Sequence, residues 1–130
     1  QSAGCDFVVL GTIVRETVAA KEAGFQGAKI KVGLPRVADD VARLRAVRQA
    51  VGDGFEIMVD ANQCFTLSEA LRRAAAYADL GIAWFEEPLP ADDLTGHARL
   101  AASTASPMRS IRPFCFVIPA TPLYQQFAGG

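Results

Sequence analysis

Cysteine and histidine are scarce in this 130-residue sequence, which has one histidine and three cysteines. The cysteines are Cys5, Cys64 and Cys115, and none of them forms a CxxC pair. An odd, scattered set argues against a disulfide framework, and the shortage of both residue types argues against a zinc site. We therefore expect each cysteine to be a buried small hydrophobic residue in a reducing compartment.

Long apolar runs and an excess of charge of one sign are also missing. No segment reaches the ~18 consecutive apolar residues that a membrane-spanning helix needs, and no basic region leads into an apolar run near the N-terminus. The net charge of −1 gives no reason to expect nucleic acid or an anionic membrane as a partner. We expect a cytoplasmic protein without nucleic-acid or membrane partners.

What the sequence does contain is a regular alternation of amphipathic helical stretches and short apolar runs. Strands are predicted to begin near residues 27, 55 and 82, which are 28 and 27 residues apart. Each is followed by a helical pattern, as in a parallel α/β sheet. On the helix predicted after the first strand, Val41, Leu44 and Val47 share one face and Arg43 lies largely off it. Helices are predicted over 13–23, 37–51, 66–80 and 93–103.

This alternation indicates an α/β fold, either a doubly wound sheet or part of a (β/α)₈ TIM barrel. Segments 57–59 and 82–85 are apolar on both faces, as expected of strands that are covered by helices on one side and a barrel interior on the other. A complete barrel needs about 250 residues, so we expect about three to four β/α units. We predict a partial barrel domain over 1–107 and an atypical, proline-rich tail over 108–130, in which 114–118 is one candidate strand.

Polar side chains mark the ends of all three predicted strands, and this favours the barrel over the doubly wound sheet. Lys29 and Lys31 share a face of the first strand, Asp60 and Asn62 end the second, and Glu86 ends the third, followed by Glu87. Each pattern alone has an ordinary structural explanation. The lysines could lie on a solvated strand edge, Asp60 and Asn62 could cap a helix, and the glutamates could start a helix or loop. In a barrel, however, the three strand ends meet at the rim where active sites form.

These residue types fit a particular chemistry. Carboxylate oxygens suit a hard cation such as Mg²⁺. Two ammonium groups held close repel each other, which would favour the loss of a proton from one lysine and make it a usable base near neutral pH.

Three segments carry a resemblance to a known family: 24–33 (GFQGAKIKVG), 57–63 (IMVDANQ) and 84–89 (WFEEPL). Together they resemble the enolase superfamily, mandelate racemase subgroup, and in particular its acid-sugar dehydratases such as galactarate/talarate dehydratase. The resemblance covers residues 14–107.

By this resemblance, Lys31 is the catalytic base that removes or returns the proton α to the substrate carboxylate. Lys29 is its companion, which tunes that base and contacts the carboxylate side of a hydroxy-acid or sugar-acid substrate. Asp60 and Glu86 are ligands of an essential Mg²⁺, and Asn62 contacts the substrate. The cation and a lysine would stabilise the dianionic ene-diolate that forms when the proton leaves.

The sequence departs from the family pattern after Pro107. The family's third metal ligand, a glutamate in a Gly-Glu pair, is replaced by the run MRSIR at 108–112, and no acidic residue occurs after Asp93. The family's His-Asp dyad lies on later strands, and His97 does not match it. The capping domain that closes the site is also missing. We therefore expect weak or no activity.

Two other hypotheses stay open. One is a non-catalytic barrel fragment that acts only by binding, either to itself as a homo-oligomer or to a partner. The binding surface would be the two unpaired edges of the sheet. The other is a doubly wound domain whose lysines recognise an anion. It is disfavoured because no GxGxxG turn follows a strand.

Overall fold

A computed structural model describes residues 10–103 together with the backbone of two short segments, 108–109 and 117–118. Its elements in chain order are α1 Leu10–Glu22, β1 Gly27–Lys31, α2 Val37–Val51, β2 Glu56–Asp60, α3 Leu67–Tyr77, β3 Ile82–Glu86, α4 Leu94–Ala102, β4 Met108–Arg109 and β5 Val117–Ile118. A 3₁₀ turn, Ala78–Leu80, continues α3. The predicted alternation of strands and helices is confirmed.

The strands form one sheet in the order β4-β3-β2-β1-β5, and every neighbouring pair is parallel. β1, β2 and β3 lie in sequence order, and Lys31, Asp60 and Glu86 are in register at their C-terminal ends. β5 pairs with β1 at Lys29 and Ile30, and β4 pairs with β3 at Phe85 and Glu86. Two-residue strands thus flank the central three, and β4 and β5 are the edge strands of the described sheet.

The two faces of the sheet differ in composition because side chains alternate along each strand. One face packs against the helices and is apolar; it contributes Ala28, Ile30, Ile57, Val59 and Phe85 to the core. The helices bring Ile13, Leu44, Val47 and Leu100 to the same core, all with no exposed surface. The opposite face carries the lysines and carboxylates predicted to form a site.

The helix boundaries follow local signals with two exceptions. Thr66 caps α3 as its capping-box pattern predicts, since its hydroxyl accepts a hydrogen bond from the backbone N–H of Glu69 at 3.2 Å. α1 already includes Leu10, the first described residue, three residues before the predicted start at residue 13. The last predicted turn of α3 tightens into the 3₁₀ turn, which ends at Gly81 with a φ of 69°. Among the described residues, no helix is both long and apolar enough to cross a bilayer.

Candidate active site

The five residues predicted to form a site all lie at one end of the sheet. Lys29 and Lys31 are on β1, Asp60 ends β2, Asn62 follows it, and Glu86 ends β3. Their burial differs: Lys29, Asp60 and Glu86 are buried, with 1%, 4% and 1% of their surface exposed. Lys31 is half-buried and Asn62 is exposed. The site thus has a buried charged part and an accessible rim.

Lys29 joins the two carboxylates in the buried part. Its Nζ donates to Oε2 of Glu86 at 2.7 Å and lies 3.4 Å from Oδ2 of Asp60. Charged groups this deeply buried are tolerated when they are paired and hydrogen-bonded. The lysine therefore balances the charge of carboxylates on two other strands.

Lys31 and Asn62 form the accessible part. The Nζ of Lys31 donates to Oδ1 of Asn62 at 2.6 Å and to Oδ2 of Asp60 at 3.2 Å. The backbone N–H of Asn62 donates to Oδ1 of Asp60 at 2.9 Å. Asn62 and Gln63 have backbone φ values of 52° and 63°, in the left-handed region that residues other than glycine seldom adopt. This turn directs Asn62 back toward Lys31.

The loops that follow β2 and β3 are tied together. The backbone N–H of Gln63 donates to the carbonyl of Glu87 at 2.7 Å, and the side-chain oxygen of Gln63 accepts from the N–H of Ala91 at 2.9 Å. Glu87 also has a positive φ, 49°. Strained backbone of this kind persists where the surroundings hold it, often at functional sites.

The chemistry of the donors fits Mg²⁺, although the described residues supply few of them. Asp60 and Glu86 offer hard carboxylate oxygens on neighbouring strands, and proteins often hold Mg²⁺ through one or two carboxylates with water or substrate completing the shell. Within 10–103, no group of three His, Cys, Asp or Glu residues could hold a metal. On β4, the backbone position in register with Glu86 is Arg109.

A buried polar network behind the site was not anticipated from the sequence. Asp40, with no exposed surface, accepts from the backbone N–H of Gly33 at 2.8 Å, from Arg73 at 2.5 Å and from the Tyr77 hydroxyl at 3.0 Å. The network fixes the loop after β1. The sequence signal that could have revealed this network is the presence of acidic and basic residues on helix faces that are otherwise apolar.

Arg43 links this network to the site. The Nη1 of Arg43 lies 3.6 Å from Oδ1 of Asp40 and donates to the backbone carbonyl of Lys31 at 2.9 Å. Burial lowers the pKa of Arg43, and the charge of Asp40 opposes that shift. The prediction that Arg43 lies largely off the buried helix face is wrong, because only 5% of it is exposed.

Two residues with possible chemistry lie outside the cluster of lysines and carboxylates. Cys64 is exposed in the loop after β2, so the prediction that it is buried is wrong. Cys5 and Cys115 lie outside the described residues. His97 is in α4, and its Nδ1 lies 2.9 Å from the carbonyl of Asp93.

Comparison with known proteins identifies the class. Residues 12–109 match the family model "Enolase C-terminal domain-like". The chain therefore belongs to the enolase C-terminal domain-like family, whose mandelate racemase-type members the sequence motifs resemble. The partial α/β barrel fold is confirmed by the same match and by the solved structures below.

Several relatives are enzymes acting on small carboxylic acids. The chain is 43% identical over 99 residues to L-talarate/galactarate dehydratase of Salmonella typhimurium, covering 76% of this chain and 25% of that protein. It is 39% identical over 87 residues to L-Ala-D/L-Glu epimerase of Bacillus subtilis, covering 65% and 24%. L-Talarate dehydratase from Polaromonas sp. JS666, solved with Mg and L-glucarate, superposes with a TM-score of 0.77 at 38% identity, covering 82% and 30%. The chain thus spans about a quarter of the length of the curated relatives it matches.

Proposed function

We propose that the chain carries part of a Mg²⁺-dependent active site that removes the proton α to the carboxylate of a hydroxy acid or sugar acid, as in an acid-sugar dehydratase or a racemase. In this proposal residues 1–107 are the partial barrel domain of a cytoplasmic protein and residues 108–130 are an atypical tail. The observation that carries the proposal is the convergence of Lys31, Asp60 and Glu86, in register on three parallel strands.

The different exposure of the two lysines supports different roles for them. The side chain of Lys31 is 24% exposed and that of Lys29 is 1% exposed. Lys31 is therefore the lysine that a substrate can reach, and in its neutral amine form it would take the α-proton as a base. Lys29 is buried against Glu86. It acts as the companion of Lys31 and lies on the carboxylate side of the substrate. Asn62, exposed at the rim, contacts the substrate.

Asp60 and Glu86 would hold the metal. When bound, Mg²⁺ would supply positive charge to stabilise the ene-diolate. Asp60 is oriented for this role by the backbone N–H of Asn62 on one oxygen and by Lys31 on the other. Glu86 is oriented by Lys29, which donates a hydrogen bond to its Oε2.

The substrate class is argued from the relatives. A dehydratase of talarate and galactarate and an epimerase of a dipeptide are both similar to the chain, and the dehydratase is the more similar by identity, 43% against 39%. The stretch 86–100 also resembles acid-sugar dehydratases in particular. A hydroxy or sugar acid is the substrate class this favours.

Activity of the 130-residue chain is expected to be weak or absent. The family's third metal ligand is unmatched, and the sequence has no acidic residue after Asp93 to replace it. A base on the opposite side of the substrate is not among the residues matched to the family motifs. Proton abstraction would therefore be incompletely supported.

Calorimetric titration with Mg²⁺ tests the metal site. We expect weak binding by the chain and none by Asp60→Asn or Glu86→Gln. Glu56→Gln is a matched control because Glu56 is an exposed carboxylate at the opposite end of β2, and it should bind as the wild type does. Equal loss in all three variants, or no binding by the wild type, would contradict the proposed ligands.

Deuterium exchange at the α-carbon of an acid sugar tests the chemistry. In D₂O with Mg²⁺, NMR should show exchange only slightly above the protein-free rate, and Lys31→Ala should remove that excess. Tight Mg²⁺ binding together with rapid exchange would overturn the expectation of weak activity.

A second candidate is a non-catalytic chain that acts by self-association or by binding a partner. The observation that favours it is the short pairing at the sheet edges, where β4 and β5 each contact their neighbour over two residues. The outer side of an edge strand carries backbone groups that another chain can pair with. Sedimentation analysis that found concentration-dependent association, unchanged by Mg²⁺, would support this candidate, and a monomer at all concentrations would argue against self-association.

A further inference from the structure

Trp84 is the single tryptophan of the chain and lies on the site face of the sheet. It precedes Glu86 by two residues on β3, so the two side chains point to the same face. Its neighbours in register are Met58 on β2 and, one strand further, Lys29 on β1. Trp84 therefore belongs to the row of side chains directly beneath the row that carries Lys31, Asp60 and Glu86.

The indole makes a polar contact with the carboxylate above it. Nε1 of Trp84 donates to Oε1 of Glu86 at 3.2 Å, while Lys29 donates to Oε2 of the same carboxylate at 2.7 Å. Each oxygen of Glu86 thus has a donor from the row beneath. Two donors on two oxygens restrict rotation of the carboxylate group about its own bond.

We propose that Trp84 is a positioning residue for Glu86, holding its carboxylate in the orientation that a divalent cation requires. This inference rests on the proposed function, in which Glu86 is a Mg²⁺ ligand. A ligand that is already oriented loses less freedom on binding the ion. Loss of groups that orient metal ligands typically costs about 10- to 100-fold in metal affinity.

A packing role for Trp84 makes a different prediction. The indole is half-buried and offers a large apolar surface, so its removal would lower stability whether or not its N–H matters. A test must therefore remove the N–H and keep the shape of the ring. Because the chain has one tryptophan, global incorporation of 3-benzothienylalanine, in which sulfur replaces the ring N–H, changes position 84 alone.

The experiment compares Mg²⁺ binding to the full 130-residue chain with and without this replacement, by calorimetry, alongside urea unfolding of both proteins. We expect the unfolding midpoints to agree and the dissociation constant for Mg²⁺ to rise about 10-fold or more. Trp84→Phe should show the same loss of affinity. Met58→Leu is the matched control, since Met58 lies beside Trp84 and has no N–H to donate; its affinity should stay within about twofold of the wild type.

The outcomes separate this inference from the proposal beneath it. Equal Mg²⁺ affinity of the wild-type and benzothienyl proteins would overturn the positioning role and leave Asp60 and Glu86 as proposed ligands. Loss of affinity only in proportion to loss of stability would overturn it too, because that result indicates packing. Absence of Mg²⁺ binding by the wild-type chain would overturn the proposed metal site and this inference together.

Discussion

The ammonium nitrogen of Lys29 lies 2.7 Å from Oε2 of Glu86, although the two residues are 57 positions apart in the chain. Both side chains are almost fully buried, with 1% and 2% exposed. The contact crosses β2, whose Asp60 is 3.4 Å from the same nitrogen. One lysine thus connects all three central strands, and this makes it important for stability as well as for the site.

Replacing Lys29 by methionine should destabilise the fold by about 3–5 kcal/mol, because two buried carboxylates lose their shared partner. Urea unfolding measures this difference. Lys31→Met is the matched control: Lys31 is the more exposed of the pair, and its loss should cost substantially less. Equal losses in the two variants would contradict the importance given to the buried contact.

Asp40→Asn should also destabilise the fold by about 3–5 kcal/mol, since it removes a buried charge that is paired with Arg73 at 2.5 Å. Asp39→Asn, one residue earlier on the exposed side of α2, should cost less than about 1 kcal/mol. Denaturant unfolding of the two variants tests the difference. A similar effect of both changes would indicate that the charge near the start of α2, not the network, is what matters.

Tyr77 should make stability fall at alkaline pH. Burial and, after it, the charge of Asp40 raise the pKa of the Tyr77 phenol well above its ordinary value of 10.0. A raised folded-state pKa means that this contribution is fully present below pH 10.0 and is lost as the pH rises further, because the unfolded chain ionises first. Tyr77→Phe should reduce the decline above about pH 10 in unfolding experiments. An unchanged pH profile would contradict the assignment.

Gly27→Ala should destabilise the pairing of β1 with β2 by about 1–3 kcal/mol. A Cβ at Gly27 would lie 2.8 Å from the backbone oxygen of Glu56, which cannot move without disturbing β2. Gly54→Ala is the matched control, because a Cβ there meets nothing within 4 Å. Thermal unfolding should show a change within about 0.5 kcal/mol for Gly54→Ala, and a comparable loss at both glycines would refute the steric explanation.

The periodic part of the fold was predictable because it depends on local physics. The apolar runs at 57–59 and 82–85, the Thr66 cap and the glycine turns each restrict the backbone within a few residues. Boundaries were less predictable, as the 3₁₀ turn Ala78–Leu80 at the end of α3 illustrates. Arg43 was misjudged because a single charged residue within a helical pattern is usually solvated, whereas here its partners come from a loop and a strand end.

By itself, the sequence determined the order of strands and helices and which residue types follow each strand, because alternation, capping and turn chemistry act between near neighbours. The motifs at 24–33, 57–63 and 84–89 also indicated the family to which the chain belongs. Only the tertiary structure decided which lysine is buried, which oxygen each lysine meets, and that Asp40 pairs with Arg73 behind the site. Those contacts join residues tens of positions apart, and they depend on strand register and helix packing that no local pattern specifies.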